Sequence, residues 1–295
     1  MRPLILTSSL AGAVVAYQTT SVSNWDNNPT NLGESIVLTP DSIGASPAII
    51  LGLHPCGGTG ALYQSMTDLP SYIDSLNYIM LFPTSNVEDG FNCWDAFSTA
   101  SNTRDGGGDS QGLAGLVAWA VSAYGADASR VFVVGGSSGA METSVLAATY
   151  PDVFAAGVAY SGVPAGCWRG AASSTPLAAD QSCPLGAKAS TYTAAQWADL
   201  VHDAYPGYGG PWPRMMVVHG TADFAVTLNN LGAQLEQWST VKGLSFTRNV
   251  TDDPIASWTK IEYGDATELV GYEVQGGGHI PPFQTETALE FLGLQ

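Results

Sequence analysis

The chain predicts an α/β fold, a mostly parallel central sheet with helices on both faces, and three observations predict it. Short apolar runs rich in β-branched residues recur along its 295 residues. Segments with helical periodicity alternate with them, as a parallel sheet with crossover helices requires. One apolar run, Val131 to Val134, leads directly into Gly135-Gly136-Ser137-Ser138-Gly139, the pattern of a strand that turns sharply into a helix.

In chain order, strands are expected first at 35–38 and then at 48–53, whose near-continuous apolar character suits a strand covered on both faces. A helix follows at 61–76, then an apolar strand at 78–82. The glycine triplet 106–108 marks a loop before a helix at 112–124. Strand 131–134 and helix 138–149 flank the serine turn, and Pro151-Asp152 stops that helix. A strand at 155–160 leads to a polar excursion over 173–184 and a helix at 194–204. Strand 215–219, helix 226–238, strand 269–274 and helix 287–292 complete the alternation. With no internal repeat, heptad pattern or Pro/Ser/Thr-rich linker, one domain is expected over residues 17–295.

Composition narrows the partners. Hydrophobic residues make up 45% of the chain, enough for a substantial core, and charged residues only 12%. Acidic residues outnumber basic ones 26 to 9, for a formal net charge of −17. Such a surface repels phosphate backbones and anionic lipid, which argues against nucleic acid and membrane partners and favours a neutral substrate.

Residues 1–16 read as an export signal. Arg2 is the positive head, and Leu4 to Ala16 is a short apolar run ending in small residues, with cleavage fitting after Ala13 or Ala16. No later stretch reaches the ~20 apolar residues that a membrane span needs. An extracellular, soluble protein is expected. Four cysteines suit an oxidising compartment and allow three pairings. The expected one is Cys56–Cys93 with Cys167–Cys183, each closing a loop; the second would contribute about 3 kcal/mol in chain-entropy terms. Asn249-Val250-Thr251 is a glycosylation acceptor pattern.

The chemistry centres on Ser137. Gly135 and Gly139 flank it where a side chain would clash in a tight strand–turn–helix, the nucleophile elbow of an α/β-hydrolase. A second G-x-S-x-G, Gly108 to Gly112, resembles the G-D-S-G-G of trypsin-like proteases. It follows a polar glycine loop, so Asp109 and Ser110 are expected to cap the next helix instead. A serine hydroxyl needs a base and an acid that orients the base, in the chain order Ser, Asp/Glu, His. Of four histidines, His54 precedes the serine, His202 lies in a helical stretch and His219 ends a strand. His279, in the loop G-G-G-H-I-P, is the candidate base. Asp223 follows strand 215–219 across a short turn and is the candidate acid; Asp252, Asp253 and Asp265 lack a preceding strand end. Its rival reading is as the cap of the helix near Val226. Two backbone N–H donors for an oxyanion are expected at Ser138 and Cys56, with Gly57 as alternative to Cys56. No C-x-x-C or H-E-x-x-H accompanies His54 and Cys56, so neither a metal nor a cofactor is expected. Trp94 and Trp168, each beside a cysteine, are expected either to stack on sugar rings or to pack in the core.

A set of longer motifs carries a resemblance. His54-Pro55-Cys56, Cys93-Trp94-Asp95, Gly106 to Ser110, Gly136 to Met141, Ala147 to Asp152 and Tyr160 to Cys167, with H-G-T-A-D ending at Asp223 and G-G-G-H ending at His279, resemble fungal acetylxylan esterases. These belong to carbohydrate esterase family one, related to polyhydroxybutyrate depolymerases and feruloyl esterases. The resemblance runs from about Ala48 to the C-terminus. It implies deacetylation of xylan, a plant cell-wall polysaccharide, by a secreted enzyme through an acetyl-enzyme on Ser137; separately, a monomer is expected. The chain departs from the pattern at Gly57-Gly58, at Glu142 in place of a methionine, and at Ile280-Pro281. Two alternatives stand beside this reading: a feruloyl or polyester hydrolase, with a roomier acyl pocket, and a non-catalytic polysaccharide-binding protein on a hydrolase scaffold.

Overall fold

The computed structural model describes residues 17–86, 91–171 and 180–295. The expected export signal, 1–16, and most of the 173–184 excursion lie outside these residues. Ten strands form a single mixed sheet: β1 (Tyr17–Val22), β2 (Ser35–Pro40), β3 (Ala48–Leu53), β4 (Tyr78–Pro83), β5 (Val131–Gly136), β6 (Ala156–Tyr160), β7 (Arg214–Gly220), β8 (Phe246–Thr251), β9 (Trp258–Tyr263) and β10 (Leu269–Val274). Their spatial order is β1-β2-β4-β3-β5-β6-β7-β10-β9-β8. The strands β4, β3, β5, β6, β7 and β10 run parallel, and antiparallel strands finish both edges. This is the α/β-hydrolase architecture that the sequence predicts.

Each predicted strand forms, because the central ones present apolar side chains to two cores at once. On β3, Ile50 joins the cluster under α1 (Gly60–Met66), α2 (Ile73–Leu76) and α7 (Thr285–Leu292), while Ile49 and Leu51 join the opposite one. That opposite face is covered by α3 (Asp109–Tyr124), α4 (Ser138–Thr149), α5 (Ala194–Ala204) and α6 (Asn229–Lys242). Three peripheral strands, the edges β1 and β8 and the neighbouring β9, are not legible as apolar runs. β1 and β8 are largely exposed on both faces, so neither a continuous nor a clean alternating pattern marks them. Asn249 lies exposed on β8, an edge strand rather than a loop.

Three expected helices differ. The helix expected at 61–76 breaks after Met66: Thr67 is extended, and a 3₁₀ turn, Leu69–Tyr72, carries Pro70 near its start. Proline lacks the N–H that a continuous helix would need there. The helix expected at 112–124 begins three residues earlier, at Asp109, and Gly108 is its N-cap. Asp109 and Ser110 are therefore not caps but staples: Asp109 Oδ2 accepts the Asp95 N–H at 3.0 Å, and Ser110 Oγ donates to the Ser101 carbonyl at 2.6 Å. The helix expected at 226–238 starts at Asn229.

Candidate active site

Because β3, β5, β7 and β10 are mutually parallel, their C-terminal ends share one sheet edge, and each delivers one part of the site. Ser137 follows β5 with φ 54° and ψ −118°, a conformation that a non-glycine residue adopts only under compulsion. The compulsion is close packing. A Cβ on Gly135 would lie 2.1 Å from the Gly139 carbonyl oxygen, and one on Gly139 would lie 2.1 Å from that of Leu53. The turn thus needs glycine on both sides, and it leaves Ser137 at the positive end of α4.

Asp223 and His279 arrive from neighbouring strand ends that are stapled together. The Ala222 N–H donates to the Gly277 carbonyl at 2.8 Å, the Gly276 N–H to Thr221 Oγ1 at 2.8 Å, and a Cβ on Gly220 would meet Gly277 oxygen at 2.2 Å. The Ile280 N–H donates to Ser161 Oγ at 3.1 Å, which anchors the far side of the histidine loop. The structure thereby brings together residues 137, 223 and 279: His279 Nε2 lies 2.8 Å from Ser137 Oγ, and Nδ1 lies 2.8 Å from Asp223 Oδ2. In the tautomer this chain requires, Nδ1–H donates to the carboxylate and Nε2 accepts from the hydroxyl.

Both readings of Asp223 coexist in different oxygens. Oδ2 faces His279, while Oδ1 accepts the N–H groups of Ala225 and Val226 at 2.9 Å each, an Asx turn ahead of α6. Burial pushes this carboxyl up. Hydrogen bonds from His219, His279 and the Val226 N–H outweigh that push and hold it well below the ordinary carboxylate range. His219 is a functional neighbour that sequence reasoning passed over. Its Nε2–H donates to the Val226 carbonyl at 2.8 Å and stands 3.5 Å from Asp223 Oδ2, fully buried. The i,i+4 spacing of His219 and Asp223 is visible in the sequence; their contact depends on the turn between them.

The loop after β3 supplies the remaining wall. Among the described residues, neither the Cys56 nor the Ser138 N–H has an acceptor within the protein, so both are available to a developing oxyanion. Gly57, the alternative donor, is corrected: its N–H is engaged by the Phe91 carbonyl at 2.5 Å. The loop is held by the Cys56–Cys93 disulfide and by His54. His54 Nδ1–H donates to the Pro55 carbonyl at 2.8 Å, and Nε2 accepts the Ser85 N–H at 3.1 Å. Burial lowers this imidazole to about 4, so it stays neutral. The second disulfide joins Cys167 and Cys183, as expected.

A cavity of about 270 Å³ opens beside Ser137 and His279, walled by Cys56, Met141, Trp168 and Val226. Trp168 lines it, with its Nε1–H donating to the Asp180 carbonyl at 2.9 Å. Trp94 is a correction. Its ring is fully buried, 4.8 Å from that of His54, and its Nε1–H donates to the His54 carbonyl at 2.9 Å. A ring with no free face has none to offer a sugar. A more open groove of about 450 Å³, lined by Glu236, Ile261 and Glu273, shares no residue with this cavity.

Glu142 does not line the cavity either. It is fully buried behind α4, and neither carboxyl oxygen has a partner among the described residues. Burial, with Asp109 and Asp95 nearby, raises its carboxyl well above the ordinary value. The folded state therefore keeps a proton that the unfolded chain releases once the pH passes ~4.5, and stability falls as the pH rises from there towards the folded value. Each pH unit in that window costs about 1.4 kcal/mol. Glu142→Gln is accordingly expected to raise the thermal midpoint at pH 8 and to leave it nearly unchanged at pH 4, as thermal unfolding at the two pH values would show.

A serine at a strand–helix elbow, bonded to a late histidine above the edge of a mostly parallel sheet, defines an α/β-hydrolase. The comparisons carry this to a family. The family model described as Esterase PHB depolymerase matches residues 33–249, and the chain belongs to that family. It is 46% identical over 274 residues to feruloyl esterase B of Neurospora crassa, covering 92% of this chain and 91% of that protein. It is 40% identical to an acetylxylan esterase of Coprinopsis cinerea, covering 96% of this chain and 75% of that protein. The solved acetyl xylan esterase from Aspergillus awamori superposes with a TM-score of 0.86 at 32% identity, covering 94% of this chain and all of that one. The protein is an esterase, and the reading as a non-catalytic scaffold is set aside.

Proposed function

We propose that the chain is an exported, monomeric serine esterase that removes acetyl groups from xylan. The observation that carries the chemistry is the continuous hydrogen-bonded path from Ser137 through His279 to Asp223. In this reading Ser137 Oγ attacks the ester carbonyl as His279 takes its proton. The Cys56 and Ser138 N–H groups hold the oxyanion, and His279 returns the proton to the departing sugar hydroxyl. Water then attacks the acyl-enzyme, with His279 again as base and Asp223 fixing its tautomer. The acetylxylan esterase relatives support the acyl group and the polysaccharide. The export-type segment 1–16 and the two disulfides support the location.

A second reading, feruloyl ester hydrolysis, is favoured by one observation. The cavity of about 270 Å³ exceeds what an acetyl group fills, and its walls include Trp168 and Met141. The feruloyl esterase B relatives support it. Acetate and ferulate release from xylan oligosaccharides carrying one or the other ester would decide. The primary reading expects acetate release at least about tenfold faster in kcat/KM, a difference of ~1.4 kcal/mol in transition-state binding. Faster ferulate release overturns it in favour of the second.

A further inference from the structure

We infer that Phe224 is a positioning residue that stacks on the sugar carried by the alcohol side of the ester. This rests on the proposed function and adds a contact to it. Phe224 is 84% exposed, the most exposed large hydrophobic side chain among the described residues. A lone exposed aliphatic residue needs no explanation, but an aromatic ring almost wholly in water beside a reactive centre does. Asp223, on one side of it, holds His279; Ala225 and Val226, on the other, line the cavity. The backbone of residue 224 therefore runs beside that cavity.

Its outward direction is built in. Asp223 Oδ1 takes the N–H groups of Ala225 and Val226, and the Thr227 N–H donates to the Pro184 carbonyl at 2.8 Å. With the backbone tied on both sides, residue 224 projects from the turn. Among the described residues no aromatic ring or cation contacts this ring, and most of its surface is in water. Two further exposed apolar residues are tied by the chain or the backbone to residues of the same site. Leu185 follows the cavity-lining Pro184, and Phe91 accepts, through its carbonyl, the N–H of the residue after Cys56.

Chemistry selects the occupant. The acyl group enters the cavity, and the leaving oxygen must lie where His279 Nε2 can return a proton to it. The alcohol then projects past His279 towards the turn that carries Phe224. On a chain of net charge −17, a neutral ring whose C–H face can lie on an aromatic face is the matching group, and a pyranose is one. This sugar-stacking aromatic stands beside Asp223, the proposed acid of the site.

The test compares a sugar ester with the ethyl ester of the same acid, which has the same acyl group and no ring. Phe224→Ala is expected to raise KM for acylated xylo-oligosaccharides about five- to tenfold with kcat unchanged. It is expected to leave kcat/KM for the ethyl ester and the thermal midpoint at wild-type values, and Phe224→Trp should restore the sugar-ester KM. Equal KM for wild type and Phe224→Ala on the sugar ester, or an equal loss on both esters, overturns the role of Phe224 while the esterase reading stands. A wild-type protein that hydrolyses the ethyl ester but no sugar ester overturns both the xylan substrate and this contact.

Discussion

Ser137→Ala is expected to lower ester hydrolysis by about 10⁴- to 10⁶-fold, the range that loss of an activated serine produces. The side chain makes one hydrogen bond, to His279, and contributes little to the core. Alanine at φ 54° is no more strained than serine, so the fold should survive and the thermal midpoint should stay within about 2 °C, the shift that ~1 kcal/mol or less produces in a domain of this size. Initial rates on an acylated substrate, with fluorophosphonate labelling of wild type and variant, would check both points. Turnover at the wild-type rate, or labelling that persists in the variant, would refute Ser137 as the nucleophile. The residual rate is informative too, because the proposed oxyanion donors remain in the variant.

Gly139→Ala should be nearly as damaging by a different route. The added methyl group would stand 2.1 Å from Leu53 oxygen, 2.6 Å from Leu53 carbonyl carbon and 2.8 Å from His54 oxygen. All three atoms are backbone, so no side-chain rotation relieves the clash. Either α4 or the end of β3 must move, and overpacking of this kind costs about 3 kcal/mol or more. The thermal midpoint is expected to fall by roughly 5–10 °C. Activity should fall by about 10²-fold or more, since α4 carries the proposed Ser138 donor and the β3 loop the proposed Cys56 donor. Gly232→Ala is the control: it lies in α6 with nothing within 4 Å of the added methyl, and should be neutral or slightly stabilising. An unaltered midpoint and rate in Gly139→Ala would show that the elbow tolerates separation of helix and strand.

The readable parts of this chain share a property: their signal is local. Val131 to Gly139 announces its turn because Gly135 is demanded by the Gly139 backbone four residues on, whereas the demand on Gly139 comes from Leu53, on a distant strand. The central strands were legible because both faces are buried, which forces continuous apolar runs. The edge strands β1 and β8 were not, since water on both faces removes that demand. Pro70 was a readable helix breaker that the apolar periodicity of 61–76 obscured.

By itself, the sequence determined the order of the central strands and their crossover helices, the serine turn and the short choice of candidates for acid and base. Tertiary structure decided the rest. His219 supports Asp223, His54 braces the loop after β3, Trp94 is sealed in the core and Glu142 holds its proton. Phe224, one residue from Asp223, is left in water. None of these follows from residue type or spacing, because burial and partner distance arise only when segments far apart in the chain pack together and exclude water from some side chains but not others.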